Sequence, residues 1–152
     1  MSSRIEDYWE ACCRELPGAT AGRGYRVKCF GNDPAMSRLL LDLIRSGQKT
    51  GTFGLEWEFE DRPEERPAPG DLFIVTDSAG EPGTLIRVTG TAVLPFSAIG
   101  DEHLQCEGPA LRELALWRKL HWDFWTPALR AMGREPAEDM PILFQRFEVL
   151  KG

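Results

Sequence analysis

The hydrophobic period of the chain changes at Gly47-Gln48-Lys49-Thr50-Gly51-Thr52, and that change limits the folds open to it. Upstream, Leu39, Leu40, Leu43 and Ile44 recur at helical spacing behind Asp33, which can cap a first turn, and Pro34, which suits the first helical position. The spacing predicts a helix from about Pro34 to Ser46, with Gly47 as the left-handed residue that ends it. Downstream the period falls to two: Thr52 to Phe59, Leu72 to Thr76, Thr84 to Leu94 and Ile142 to Leu150 read as strands. Ser78-Ala79-Gly80-Glu81-Pro82-Gly83 is turn chemistry between two apolar runs, so Leu72 to Leu94 should form an antiparallel hairpin. Several short strands interrupted by helices point to an α+β fold, a small β-barrel decorated with helices.

The other segments fit around this frame. Ile5 to Leu16 reads as a helix started by Ser2 or Ser3 and ended by Pro17-Gly18, with Ile5, Tyr8, Trp9 and Cys12 as its apolar stripe. Tyr25 to Phe30 is either a short strand or irregular. A third helix is expected from about Pro109 to Trp125, with Leu111, Leu114, Trp117, His121 and Phe124 on helical spacing and Pro127 as its interruption. Glu56-Trp57-Glu58-Phe59-Glu60-Asp61 alternates acid with aromatic, as a half-buried strand with a solvated carboxylate face does, and no histidine lies near to make it a metal site.

Composition bounds the function. At 152 residues the chain is one domain with a sizeable core, and 24 acidic against 18 basic residues leave it without the broad positive surface that binds long duplex nucleic acid. A nucleoside, a nucleotide or a short unpaired segment suits this charge better. No apolar run is long enough for a membrane span, and the N-terminal segment lacks the order of a signal peptide, so a cytoplasmic protein is expected. Its four cysteines, Cys12, Cys13, Cys29 and Cys106, have no zinc spacing and are expected as reduced thiols; no metal or cofactor is implied.

Several residues carry chemistry. Lys49, at a junction of helix and strand, is a surface lysine, a base shielded in a cleft, or a holder of an anion. Thr52 is a strand former or a hydroxyl that a nearby amine could activate, and Thr50 shares that choice. Glu107 is a helix-end carboxylate or a group that orients Lys49 and moves a proton. His103 and Cys106, three apart, allow a Cys/His pair in form but have no evident third member. His121 reads as packed among aromatics. The tryptophans Trp9, Trp57, Trp117, Trp122 and Trp125 are core, platforms for stacking a base, or both.

Taken together, Gly47 to Thr52, Leu55-Glu56-Trp57-Glu58, Pro69-Gly70-Asp71-Leu72-Phe73-Ile74-Val75-Thr76-Asp77 with Gly80 and Pro82, Glu107-Gly108, Trp117-Arg118 with His121, and Asp139-Met140-Pro141 with Phe144 and Phe147 resemble an ASCH domain of the larger bacterial type. The match runs in order from about Phe30 to Val149. The resemblance implies a PUA-like small β-barrel with flanking helices, residues 25–152 forming the ASCH core and 1–24 a helical extension. It also implies an RNA- or nucleoside-related role. In this family a Gly-x-Lys-x-x-Thr/Ser segment lies in the cleft of the barrel; one branch hydrolyses the acetyl amide of N4-acetylcytidine, and others are associated with RNA cleavage. By resemblance to the hydrolase branch, Lys49 is the active-site lysine, Thr52 the nucleophile and Glu107 the glutamate, while Thr50, Gly51, Trp57, Trp117 and His121 are expected to line the ligand site. The implied ligand is a modified nucleoside such as an N4-acylated cytidine, or short single-stranded RNA. The alternatives are a binding module without chemistry and a ribonuclease. Gly108-Pro109-Ala110-Leu111 departs from the Glu-Gly-Asp and serine pattern of larger members, which removes two carboxylates and argues against a metal-assisted nuclease.

Overall fold

The computed structural model describes residues 3–151. Helix α1 (Arg4–Glu15) begins at Ser3, whose hydroxyl accepts from the Glu6 amide while the Glu6 carboxylate accepts from the Ser3 amide. Ser2, the alternative cap, lies outside the described residues. A short helix α2 (Pro17–Thr20) leads into β1 (Arg26–Cys29), so the Tyr25 to Phe30 segment is a strand. Helix α3 (Pro34–Arg45) starts where the Asp33 carboxylate accepts from the Met36 amide at 2.8 Å and ends before Gly47, whose φ is +81°. Then come β2 (Gly51–Leu55), β3 (Leu72–Thr76), β4 (Pro82–Pro95), α4 (Asp101–Leu104), α5 (Leu114–Ala131) and β5 (Pro141–Lys151).

The five strands form one sheet in the order β1-β3-β4-β5-β2, curled into a half-barrel. β3 and β4 make the expected antiparallel hairpin, with Leu72 opposite Arg87 and Ile74 opposite Leu85. β1 joins β3 in parallel, and β2 lies antiparallel to β5 with Gly51 opposite Arg146. β1 and β2 are therefore the two edges.

Three helices cover the sheet, each burying its own apolar set. Phe73, Val75, Ile86, Val88 and Phe147 pack with Phe30 and with Leu41 and Ile44 of α3. On the other face, Phe53, Leu55, Ile142 and Phe144 pack on Trp117, Trp125 and Leu129 of α5, and Leu72, Ile74 and Leu85 pack on Cys12 of α1. The sheet curls toward α3. Lys28 on one edge and Lys49 beside the other reach the same Phe30 ring, their Nζ atoms 5.4 and 5.8 Å from its centroid.

Two sequence expectations are corrected. The strand beginning at Gly51 ends at Leu55, and Glu56–Phe59 is a 3-10 turn rather than a continued alternation. Glu56 is drawn out of register by Arg66, at 2.8 Å, and the Trp57 ring is covered by the Arg134 guanidinium at 4.0 Å. Pro127 does not interrupt the third helix: α5 runs through it, capped by the Glu113 carboxylate, while Pro109–Leu111 forms a separate 3-10 turn. A helix-interior proline costs about 3 kcal/mol. Burial of Trp125 and Leu129 on either side of it offsets that cost. Among the described residues no helix is long and apolar enough to cross a membrane.

Candidate active site

The backbone around Lys49 is fixed from both sides. The Gln48 and Lys49 amides both donate to the Leu43 carbonyl at 3.0 Å, which ties the segment to the end of α3. One residue on, the Thr50 amide donates to the Cys106 carbonyl at 2.8 Å, and the Phe147 amide donates to the Thr50 carbonyl at 3.0 Å. With the main chain thus held, the Lys49 side chain folds over the free edge of β2 and is only 4 % exposed.

Its ammonium meets Glu107. Nζ donates to the Gly51 carbonyl at 2.8 Å and to Glu107 Oε1 and Oε2 at 3.3 and 3.4 Å, contacts that account for the three protons of an ammonium. Glu107 follows α4 on a loop held by its amide to the Leu104 carbonyl and by Arg112, which donates to the Glu107 carbonyl at 3.0 Å. Its side chain is 3 % exposed. Burying two charges costs several kcal/mol each before their attraction is counted, so such a pair is weak as a stabilising device.

Gly51 lets the Glu107 loop reach the strand. A Cβ there would stand 2.6 Å from the Gln145 carbonyl oxygen and 2.9 Å from Cys106 Cβ. We expect Gly51→Ala to cost about 1–3 kcal/mol, as overpacking of a filled site does, and to separate Glu107 from Lys49. Urea denaturation checks this; an unchanged midpoint would remove the steric role of the glycine.

Strand alternation sends Gly51, Phe53 and Leu55 to the α5 side and turns Thr52 to the inner face, opposite Gln145 on β5. Thr52 is partly exposed. Among the described residues its hydroxyl makes no hydrogen bond to Lys49 or Glu107. The fold thus joins Lys49 to Glu107 directly and sets Thr52 three residues along the chain on the face toward which the sheet curls.

A family model for the ASCH domain matches residues 26–151. The chain belongs to the ASCH domain family. ASCH domains carry a PUA-like fold generally linked to RNA binding. Among solved structures, the ASCH domain from Lactobacillus crispatus JV V101 is 25 % identical with a TM-score of 0.85, over 100 % of this chain and 97 % of that one. A protein from Enterococcus faecalis V583 is 25 % identical with a TM-score of 0.86, over 97 % and 88 %. A comparison with curated proteins finds no match.

Within this ASCH domain four residues expected at the ligand site stand elsewhere or are otherwise engaged. Trp117 is fully buried in the core under α5. Trp57 is packed on that same core, its ring occupied by Arg134. Thr50 is exposed in a separate groove with His103, Glu102, Phe144 and Arg146. His121 stacks on Trp117 at 4.2 Å with Nδ1 2.9 Å from the Trp117 carbonyl oxygen. Burial lowers its pKa below the usual histidine value, and because the partner is a carbonyl oxygen, Nδ1 donates. The Cys/His option closes as well. Burial pushes the Cys106 thiol up to about 12, and His103 Nδ1 accepts from the Gly100 amide at 2.9 Å. Among the described residues no group of three His, Cys, Asp or Glu side chains is placed to hold a metal ion.

Gln145, Lys28 and Phe30 lie on the same inner face as Thr52. Gln145 is 9 % exposed, its carboxamide makes no hydrogen bond among the described residues, and Nε2 points toward Gly54, 4.0 Å from where a Cβ would lie. The signal was present: Leu143, Gln145, Phe147 and Val149 share one face of β5, and Gln145 is the polar member of an otherwise apolar row. Lys28 on a short edge strand and Phe30 just after it offered no comparable contrast.

Proposed function

We propose that this ASCH domain binds a modified nucleoside or a short single-stranded RNA on the inner face of the sheet and hydrolyses an acyl amide on N4 of cytidine or a similar base. The observation that carries the reading is the Lys49–Glu107 pair, nearly sealed from solvent and hydrogen-bonded to the strand that bears Thr52. In this reading one proton passes from Lys49 to Glu107. With that proton on Glu107, Lys49 is a neutral amine able to take the Thr52 hydroxyl proton as the oxygen attacks the amide carbonyl. The tetrahedral intermediate collapses by breaking the carbon–N4 bond, and Glu107 supplies the proton to the departing amine. The departure of the amine leaves Lys49 as an ammonium and Glu107 as a carboxylate; water then hydrolyses the threonine ester, one of its protons returning to the Thr52 oxygen as the acid is released. Gln145, opposite Thr52, offers a donor and an acceptor to the base. We read the protein as cytoplasmic, where Cys12, Cys13, Cys29 and Cys106, all free, persist as thiols.

A second reading has its own observation. Lys49 spends its protons on Gly51 and Glu107 and makes no bond to Thr52, an arrangement that suits a binding module in which Lys49 is a fixed positive point. Incubation with N4-acetylcytidine separates the two. Under the hydrolase reading the wild type releases cytidine and acetate, and Thr52→Ala releases neither while still binding cytidine. No turnover by the wild type leaves the binding module; equal turnover by the variant removes Thr52 as the nucleophile.

A further inference from the structure

The inner face holds three cations from β1 and the β2 junction, and two are committed. Arg26 pairs with Asp71 and lies over the Phe73 ring at 4.8 Å. Lys49 is held by Glu107. Lys28, aligned with Val75 and turned to the same face, is exposed to solvent and has no carboxylate within ion-pair distance among the described residues. Its ammonium sits 5.4 Å from the centroid of the Phe30 ring that Lys49 approaches at 5.8 Å. Surrounding protein lowers the Lys28 pKa, chiefly through desolvation, and Glu58 from the turn after β2 acts in the opposite sense to keep the charge. An accessible ammonium that is crowded by protein yet unpaired stands ready for an anion.

We propose that Lys28 binds a phosphate beside Phe30 on the inner face, so that the preferred ligand is a nucleotide, alone or within a short RNA, and a free nucleoside binds more weakly. The inference rests on reading the inner face as a nucleoside site. The geometry orders the ligand: the reacting edge lies by Lys49 and Thr52 and the phosphate by Lys28, with the Phe30 ring beside both ammonium groups. Lysine suits this as a compact charge that needs no fixed fork. With a formal net charge of −6, the protein as a whole repels polyanions, so attraction for a phosphate has to be local.

The test measures calorimetric binding of cytidine, its 5′- and 3′-monophosphates and a short oligocytidylate to the wild type, Lys28→Gln and Lys28→Arg. Lys28→Gln is expected to weaken the phosphorylated ligands by about tenfold, the loss of one charge-assisted hydrogen bond, and to leave cytidine unchanged. It should also lower the salt slope of oligocytidylate binding by about one, and Lys28→Arg should keep most of the affinity. Equal loss for cytidine and its phosphates, or no loss for either, overturns the phosphate role. Wild type that binds cytidine as tightly as the monophosphates overturns it while the nucleoside reading survives. Wild type that binds none of them overturns both.

Discussion

Glu107→Ala is expected to destabilise the domain by about 3–5 kcal/mol, far more than an alanine at an exposed ion pair, because it leaves the Lys49 ammonium buried with only the Gly51 carbonyl to meet it. The contrast lies within the same molecule. Lys119 and Asp123 pair at 3.1 Å on the surface of α5, and removing either should cost below about 1 kcal/mol. Replacing both buried partners, with Lys49→Met and Glu107→Leu together, should recover most of the stability lost by either single change, since neither charge is then stranded. Urea denaturation of the four proteins gives the coupling directly. A double variant as unstable as the sum of the singles would mean that the two groups do not act as one unit. The double variant should also lack turnover, which separates the requirement for folding from the requirement for chemistry.

Trp117→Ala should cost a similar amount, about 3–5 kcal/mol, but for apolar reasons. The ring is fully buried, with Phe53 at 4.8 Å, Phe96 at 5.8 Å, Trp125 at 6.2 Å and His121 at 4.2 Å. Its indole Nε1 is buried without a hydrogen-bond partner. Trp117→Phe therefore removes an unsatisfied donor together with part of the ring, and its cost should be well below that of alanine. Folded Trp117→Phe should bind cytidine ligands as the wild type does. Lost binding with intact stability would put the indole back in the ligand site.

The parts of the fold that were legible in the sequence are those in which local chemistry and tertiary packing agree. Asp33, Pro34 and Gly47 bracket α3 by their own conformational preferences, and the Asp77 to Gly83 turn leaves Leu72 to Leu94 no other arrangement than a hairpin. Legibility fails where long-range contacts decide. Nothing local tells Glu56–Phe59 to leave the extended form; Arg66 and Arg134 do so from outside the segment. Pro127 stays helical because the core holds both its neighbours. In the site, the segment bearing Lys49 could be singled out from spacing, but its link to Glu107 rested on family resemblance, since 58 residues separate them. Whether Trp117 and Trp57 are core or platform could not be read locally, because an aromatic on a helix or strand has the same appearance in sequence whether its face is open or covered. Lys28 could not be found because its position depends on how far the sheet curls.

β2 has one strand partner, β5, so that Gly51 meets Arg146 and Leu55 meets Ile142 only when segments far apart in sequence come together. Loop closure of that length is entropically slow, and contacts of this kind set the pace of folding. During synthesis the ribosome releases Lys49 and Thr52 long before the strand that anchors them, and Glu107 emerges between the two. The nascent chain can build the β3–β4 hairpin early, yet it carries no assembled cleft until β5 docks. Truncation before Pro141 would therefore leave an expressed sheet fragment that has every proposed catalytic residue and no site.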